Sequence, residues 1–237
     1  MKKPSNLSRV FGLVVLTMGF AIGANAQEPA SQERIAAFKK TLQQSQAQLR
    51  SYEWIETTTV MLKGEVKSQK QNRCYYDANG KVQKVAIGSP SASAQPSGGR
   101  LKRRIVAKKT EEMTQYMKDA VELIHRYVPP QPEMIQFAKD NGKAKYGVME
   151  PNKVIQLSLN DIVKTGDLMS ATVDIQSNSI LGIDVSTYLE DAQDGIKLAV
   201  VFKRLPDGTS YSGQTTLDAR SKDIKVVVEN SGHRKLN

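Results

Sequence analysis

The chain has a single cysteine, Cys74, in 237 residues. No intrachain disulfide and no cysteine-rich metal site can form from it. It has two histidines, His125 in a helical pattern and His233 in a polar tail, so a metal site built on a His pair is not supported. No Gly-x-Ser-x-Gly elbow, phosphate loop or dinucleotide fingerprint is present. Aspartates and glutamates are scattered, and nothing in their spacing pairs two of them as acid and base. Asp184, Glu190, Asp191 and Asp194 do cluster. Their spacing is not that of a calcium loop, and the cluster reads as a solvated acidic turn. These absences point away from an enzyme and imply no cofactor and no metal.

Long hydrophobic runs are also missing. The longest, Val10 to Ile22, is too short for a spanning helix of about 20 residues. It follows Lys2, Lys3 and Arg9 and precedes Ala24-Asn25-Ala26. That order is a cleavable export signal, with the mature chain starting at Gln27, which places the protein in the periplasm or outside the cell. No cysteine follows the apolar run, so a lipid-anchored form is not expected. The signal carries three of the basic residues and no acidic one, so the formal charge of +10 falls to +7 in the mature chain. A moderately basic surface favours anionic partners without specifying one.

What is present is alternation. From Lys153 to Glu229 apolar and polar residues alternate with period two in run after run, the mark of a sheet with one buried face. Ile155, Leu157 and Leu159 form one run. Met169, Ala171, Val173 and Ile175 form the next, followed by Ile183, Val185, Thr187 and Leu189. Ile196, Leu198, Val200 and Phe202 come next, then a weaker run at Tyr211 to Leu217, and Ile224, Val226 and Val228. Turn residues separate the runs, as in Lys164–Asp167, Gln176–Ser179, Asp191–Gly195 and Leu205–Gly208. Regular strand and turn spacing indicates one antiparallel meander. Its apolar face needs a cover, and beneath the cover lies either an ordinary core or a ligand cavity.

The preceding part supplies that cover and an edge. Ser31 to Leu49 is an amphipathic helix carrying Ile35, Phe38, Leu42 and Leu49 on one side. Tyr52–Leu62, Val66–Asp77 and Lys81–Ile87 read as strands, the second containing Cys74 as a small packed hydrophobe. Ser89 to Gly99 is a Ser/Ala/Pro/Gly-rich flexible loop. Arg100, Lys102, Arg103, Arg104, Lys108 and Lys109 follow within ten residues. Two readings stand: a solvated strand edge protected by charge, or a docking patch for an anionic membrane or partner. A nucleic-acid groove is not expected, because no aromatics interleave the charges. Thr110 to Val128 is the clearest helix, with Met113, Tyr116, Met117, Ala120, Val121 and Ile124 at helical spacing and Thr110 as its cap. Pro129-Pro130 stops it. Pro132 opens a short second helix that ends at Asn141-Gly142.

The fold class is therefore α+β: a curved antiparallel sheet covered by an N-terminal helix and a central helix pair, in one domain spanning 27–237. This order resembles the periplasmic lipoprotein-carrier superfamily, the LolA/LolB-like half-barrel. The likeness spans most of Gln27 to Glu229 and is most specific at Trp54 and at the pair Thr110–Val128 and Pro132–Asp140. It implies an exported, non-enzymatic carrier or sensor whose partner is a lipid-like ligand or lipoprotein acyl chains. The lining it implies is Trp54, Met113, Met117, Val121, Leu157, Leu159, Met169, Val173, Val185, Leu198, Val200 and Phe202. The alternative is an envelope structural or interaction protein with a dry core and no ligand.

Overall fold

The computed structural model describes residues 40–88 and 100–236. The export signal 1–26 with its cleavage site, residues 31–39 of the N-terminal helix and the loop Ser89–Gly99 lie outside the described residues.

Helix α1, described over 40–49, leads into β1 (Tyr52–Leu62), β2 (Glu65–Tyr76) and β3 (Val82–Ile87). Two helices follow, α2 (Arg100–Ile124) and α3 (Pro132–Asp140). The chain ends in β4 (Ala144–Glu150), β5 (Val154–Asn160), β6 (Leu168–Asp174), β7 (Ser179–Tyr188), β8 (Gly195–Arg204), β9 (Ser210–Ala219) and β10 (Ile224–Lys235). All ten strands form one antiparallel sheet in the order β3-β2-β1-β10-β9-β8-β7-β6-β5-β4. Strands adjacent in sequence pair throughout except β3 and β4, and the single non-local seam is β1 against β10. The seam joins the N-terminal strands to the meander expected from the alternation. The sheet is not closed: β3 and β4 are its two edges. Ladder irregularities at Glu53/Ile55, Val60/Met61, Val148/Glu150, Thr172/Val173 and Val201/Phe202 bend the strands, since an extra residue on one side of a ladder raises local twist.

Three sequence expectations change. The segment Arg100–Lys109 is helix, not strand edge. Its Leu, Lys, Arg and Ala are strong helix formers, and nothing in the sheet competes for them. Thr110 consequently sits inside the helix instead of capping it, and its hydroxyl donates back to the Val106 carbonyl at 2.9 Å. Strand β4 was not legible from sequence, because Gly147 and a bulge at Met149 break its alternation. The turns follow their chemistry: Gly208 and Gly166 both take positive φ, which glycine adopts without steric cost.

Candidate functional site

Register places the sheet's apolar residues in rungs across one face, because directly opposed residues of an antiparallel pair share a side. One rung runs Ala144, Leu159, Met169, Val185, Leu198, Leu217, Val226, Val60. The next runs Tyr146, Leu157, Ala171, Ile183, Val200, Thr215, Val228, Thr58. A third begins Val148, Ile155, Val173 and Ile180. Helix α2 covers the middle of this face, and α3 lies over its β4–β5 end. Met117, Val121, Ile124, Ile135 and Ala138 pack in one cluster with the apolar rung residues of β5 to β10.

The structure brings eleven of the twelve expected lining residues into that cluster, Met113, Val173 and Phe202 as part-buried flanks. Met117, Val121, Leu157, Leu159, Met169, Val185, Leu198 and Val200 are buried, their surfaces taken up by one another and by the helices. Trp54 is buried too, but at a separate end of the sheet, described below.

Helix α2 is held at two points that sequence reasoning missed. Tyr127, just beyond its end, is fully buried and donates its hydroxyl to Asp167 at 2.7 Å, with Thr187 Oγ1 also at 2.7 Å. Burial pushes the Tyr127 hydroxyl well above its usual pKa. Asp167, 2% exposed, also accepts the backbone N–H groups of Ile162, Val163 and Lys164 at 2.9, 2.9 and 2.6 Å. A single carboxylate therefore folds the β5–β6 loop and fastens the helix end to it. The second point is Tyr116, whose hydroxyl donates to Asp194 at 2.5 Å in the β7–β8 turn. Burial and that bond push Tyr116 up to about 12. The acidic turn thus anchors a helix, and among the described residues no group of His, Cys, Asp and Glu is placed to hold a metal.

On the N-terminal side of these anchors α2 leaves the body. Residues 104–112 are exposed all round, including Arg104, Lys108 and Lys109 and the apolar Ile105 and Val106. The side chains of Arg100, Lys102 and Arg103 lie outside the described set. The first turn contains no acidic residue, so the helix's positive end carries only positive charge.

The β1 end of the inner face is polar and aromatic. Trp54 donates its indole N–H to Asn230 at 3.0 Å and lies 5.6 Å from the Tyr76 ring. His233 stacks on Trp54 at 6.0 Å and meets Tyr211 at 4.0 Å. Beside them Lys84 Nζ donates to both Glu56 oxygens, at 2.7 and 2.6 Å, with side chains 17% and 4% exposed. Cys74, opposite Trp54, has no exposed surface, and burial raises its thiol to about 12. It is a packing residue with an inert sulfur, as its strand position implied.

Burial holds His233 down to about 4. In the unfolded chain it binds a proton near pH 6.5. Its contribution is thus present above that value and is lost as pH falls from about 6.5 towards 4. Urea midpoints at pH 7 and pH 4.5 should differ less in His233→Phe than in the parent. Equal acid sensitivity of the two proteins would remove His233 from the account.

The described clefts include one of about 300 Å³ at the corner of β1, β9 and β10, where Lys63, Arg220 and Lys225 face Asp218 and Asp223. The charges largely offset one another. Among the described residues no helix is long and apolar enough to cross a membrane.

An open antiparallel sheet, helices on its apolar face and a β1–β10 seam reproduce the architecture expected from the element order. That is the arrangement which the resemblance to the LolA-like half-barrel implied. No protein-family profile and no curated protein matches the chain. Solved structures with similar arrangement include a LolA superfamily protein from Nitrosomonas europaea, 10% identical over 84% of this chain and 93% of that one, TM-score 0.34. A DUF1329 family protein from Desulfovibrio piger is 12% identical over 84% and 92%, TM-score 0.32. A putative outer membrane lipoprotein-sorting protein domain from Vibrio parahaemolyticus is 11% identical over 83% and 91%, TM-score 0.32. Overlap at this level fixes no ligand, partner or compartment for this chain.

Proposed function

We propose that this chain is an exported, non-enzymatic carrier or sensor of a lipid-like ligand, a free acyl chain or the acyl chains of a lipoprotein. The ligand is held between the sheet's inner face and its helices. The supporting observation is that the apolar face is larger than its cover. Ile155, Val173 and Phe202 are only part-buried, and Tyr146 and Val148, which extend the second and third rungs onto β4, are exposed. An acyl chain entering there would extend under α2 by displacing side chains that now fill the space. Met113, Met117 and Met169 suit that role, because thioethers repack around irregular guests. The export signal read from sequence places such a carrier in the periplasm or outside the cell.

The burial of the first two rungs from β5 to β10 favours a second reading, a structural or interaction protein with a dry core. Organic extraction of protein purified from the envelope, followed by mass spectrometry, separates them. Stoichiometric recovery of an acyl compound supports the carrier. Clean extracts from protein that also refuses added fatty acid support the dry core.

The projecting end of α2 gives the carrier a surface for anionic headgroups. Each basic residue at such a surface contributes about 1 kcal/mol, screened by salt. Vesicles containing phosphatidylglycerol should sediment the parent at low salt and lose the variant Arg103, Arg104, Lys108 and Lys109→Ser. Equal sedimentation of the two would leave the helix end without a membrane role.

A further inference from the structure

The three most exposed large apolar residues among those described, Val148 (70%), Tyr146 (67%) and Met149 (60%), all lie on one strand, β4. That strand is an edge of the sheet, with no neighbour on its outer side among the described residues. Edge strands are ordinarily blunted, since unpaired N–H and C=O groups beside apolar side chains recruit another strand.

The hydrogen-bond pattern says which groups are open. Asn160 N–H donates to the Lys143 carbonyl at 2.9 Å, and register continues as Ala144 opposite Leu159 and Tyr146 opposite Leu157. In an antiparallel ladder bonded and non-bonded pairs alternate. Lys143, Lys145 and Gly147 therefore face β5, and the backbone groups of Ala144, Tyr146 and Val148 face outward.

We propose that β4 is a pairing edge for a second copy of this chain, aligned antiparallel about a two-fold axis at Tyr146. In that register Tyr146 opposes the Tyr146 of the other copy, and Ala144 opposes Val148. All three open residues on each side then find bonded partners. The side chains are self-complementary. On the inner face a small residue meets a β-branched one and two tyrosines meet at the axis, pairings that stabilise antiparallel ladders. On the outer face Lys145 meets Gly147, so no like charges stand directly opposite. An isologous contact of this kind closes on itself as a dimer. The inner-face side chains keep facing the concavity, so pairing prolongs the apolar face instead of capping it. The inference rests on the edge alone and stands whether or not a ligand is bound.

The test is sedimentation velocity of the mature chain over a wide concentration series, with two variants. Val148→Pro removes an outward N–H and leaves the β4–β5 bonds intact, a setting in which an edge strand tolerates proline. Tyr146→Lys sets two ammonium groups against each other at the axis. The parent should dimerise, and both variants should lose the dimer while keeping the parent's melting temperature to within a few degrees. A variant that fails to fold is replaced by Tyr146→Cys in a Cys74→Ser background. Paired Cα atoms about 5.5 Å apart lie inside the disulfide window, so oxidation should yield a covalent dimer. A parent that stays monomeric, a dimer untouched by both folded variants, open-ended oligomers or no covalent dimer would each overturn the proposal.

Discussion

Replacing Asp167 by alanine should lower the unfolding free energy by about 3 kcal/mol, because several buried polar groups lose their partner together. The carboxylate accepts from Tyr127 and from three consecutive backbone N–H groups. Removing it strands the N–H groups of the β5–β6 loop and takes one of two partners from a tyrosine hydroxyl that has no access to water. Asp167→Asn keeps one acceptor oxygen and should lose roughly half as much. Tyr127→Phe deletes a single donor and should cost about 1 kcal/mol, the usual worth of one hydrogen bond. The same anchor fixes α2, so amide exchange around Met117–Ile124 should quicken in Asp167→Ala by more than the global loss alone requires. Denaturant titration and hydrogen exchange check both. A loss below about 1 kcal/mol for Asp167→Ala, with unchanged exchange in α2, would mean that the loop and helix are fastened by apolar packing only.

Lys84→Met should be as damaging or worse, by about 3–5 kcal/mol, because it leaves the Glu56 carboxylate buried without its cation. Among the described residues Glu56 would keep a long 3.5 Å contact from Asn72. The double variant Glu56→Gln, Lys84→Met should recover most of the loss, since removing both charges removes the desolvation penalty along with the attraction. Denaturation of the two singles and the double completes the cycle. A double variant no more stable than Lys84→Met would show that the pair's place is set by shape and not by charge.

The meander was legible because each strand has one buried face. Leu157, Val185, Leu198 and Val226 alternate with polar residues, and turn chemistry marks the corners. Helix α2 was legible from Met113 onward for the equivalent reason, a stripe at helical spacing. Its first half was not, because residues 104–112 touch no core and so carry no hydrophobic period to read. β4 was hidden by its edge position, where nothing forces alternation. The residues of the core cluster could be collected from sequence because burial leaves a periodic trace. The anchors could not: Asp167 looks like an ordinary turn aspartate after Gly166, and only the fold brings Tyr127 from forty residues away. The ion pair was equally invisible, since Glu56 and Lys84 sit on strands separated by β2. The seam between β1 and β10 has no local signal at all, yet it gives the inner face its polar, aromatic end.

The central claim is that an acyl ligand occupies the inner face of the sheet. Trp54 is the only tryptophan in the chain and lies at the β1 end of that face, so energy transfer from it to a probe on the face is read from one known position. Titration with a conjugated polyene fatty acid, whose absorption overlaps indole emission, should quench Trp54 saturably at one probe per chain. An excess of a saturated, non-absorbing fatty acid should restore the emission. Trp54 emission unchanged at saturating probe, or quenching that no competitor reverses, would contradict the carrier reading.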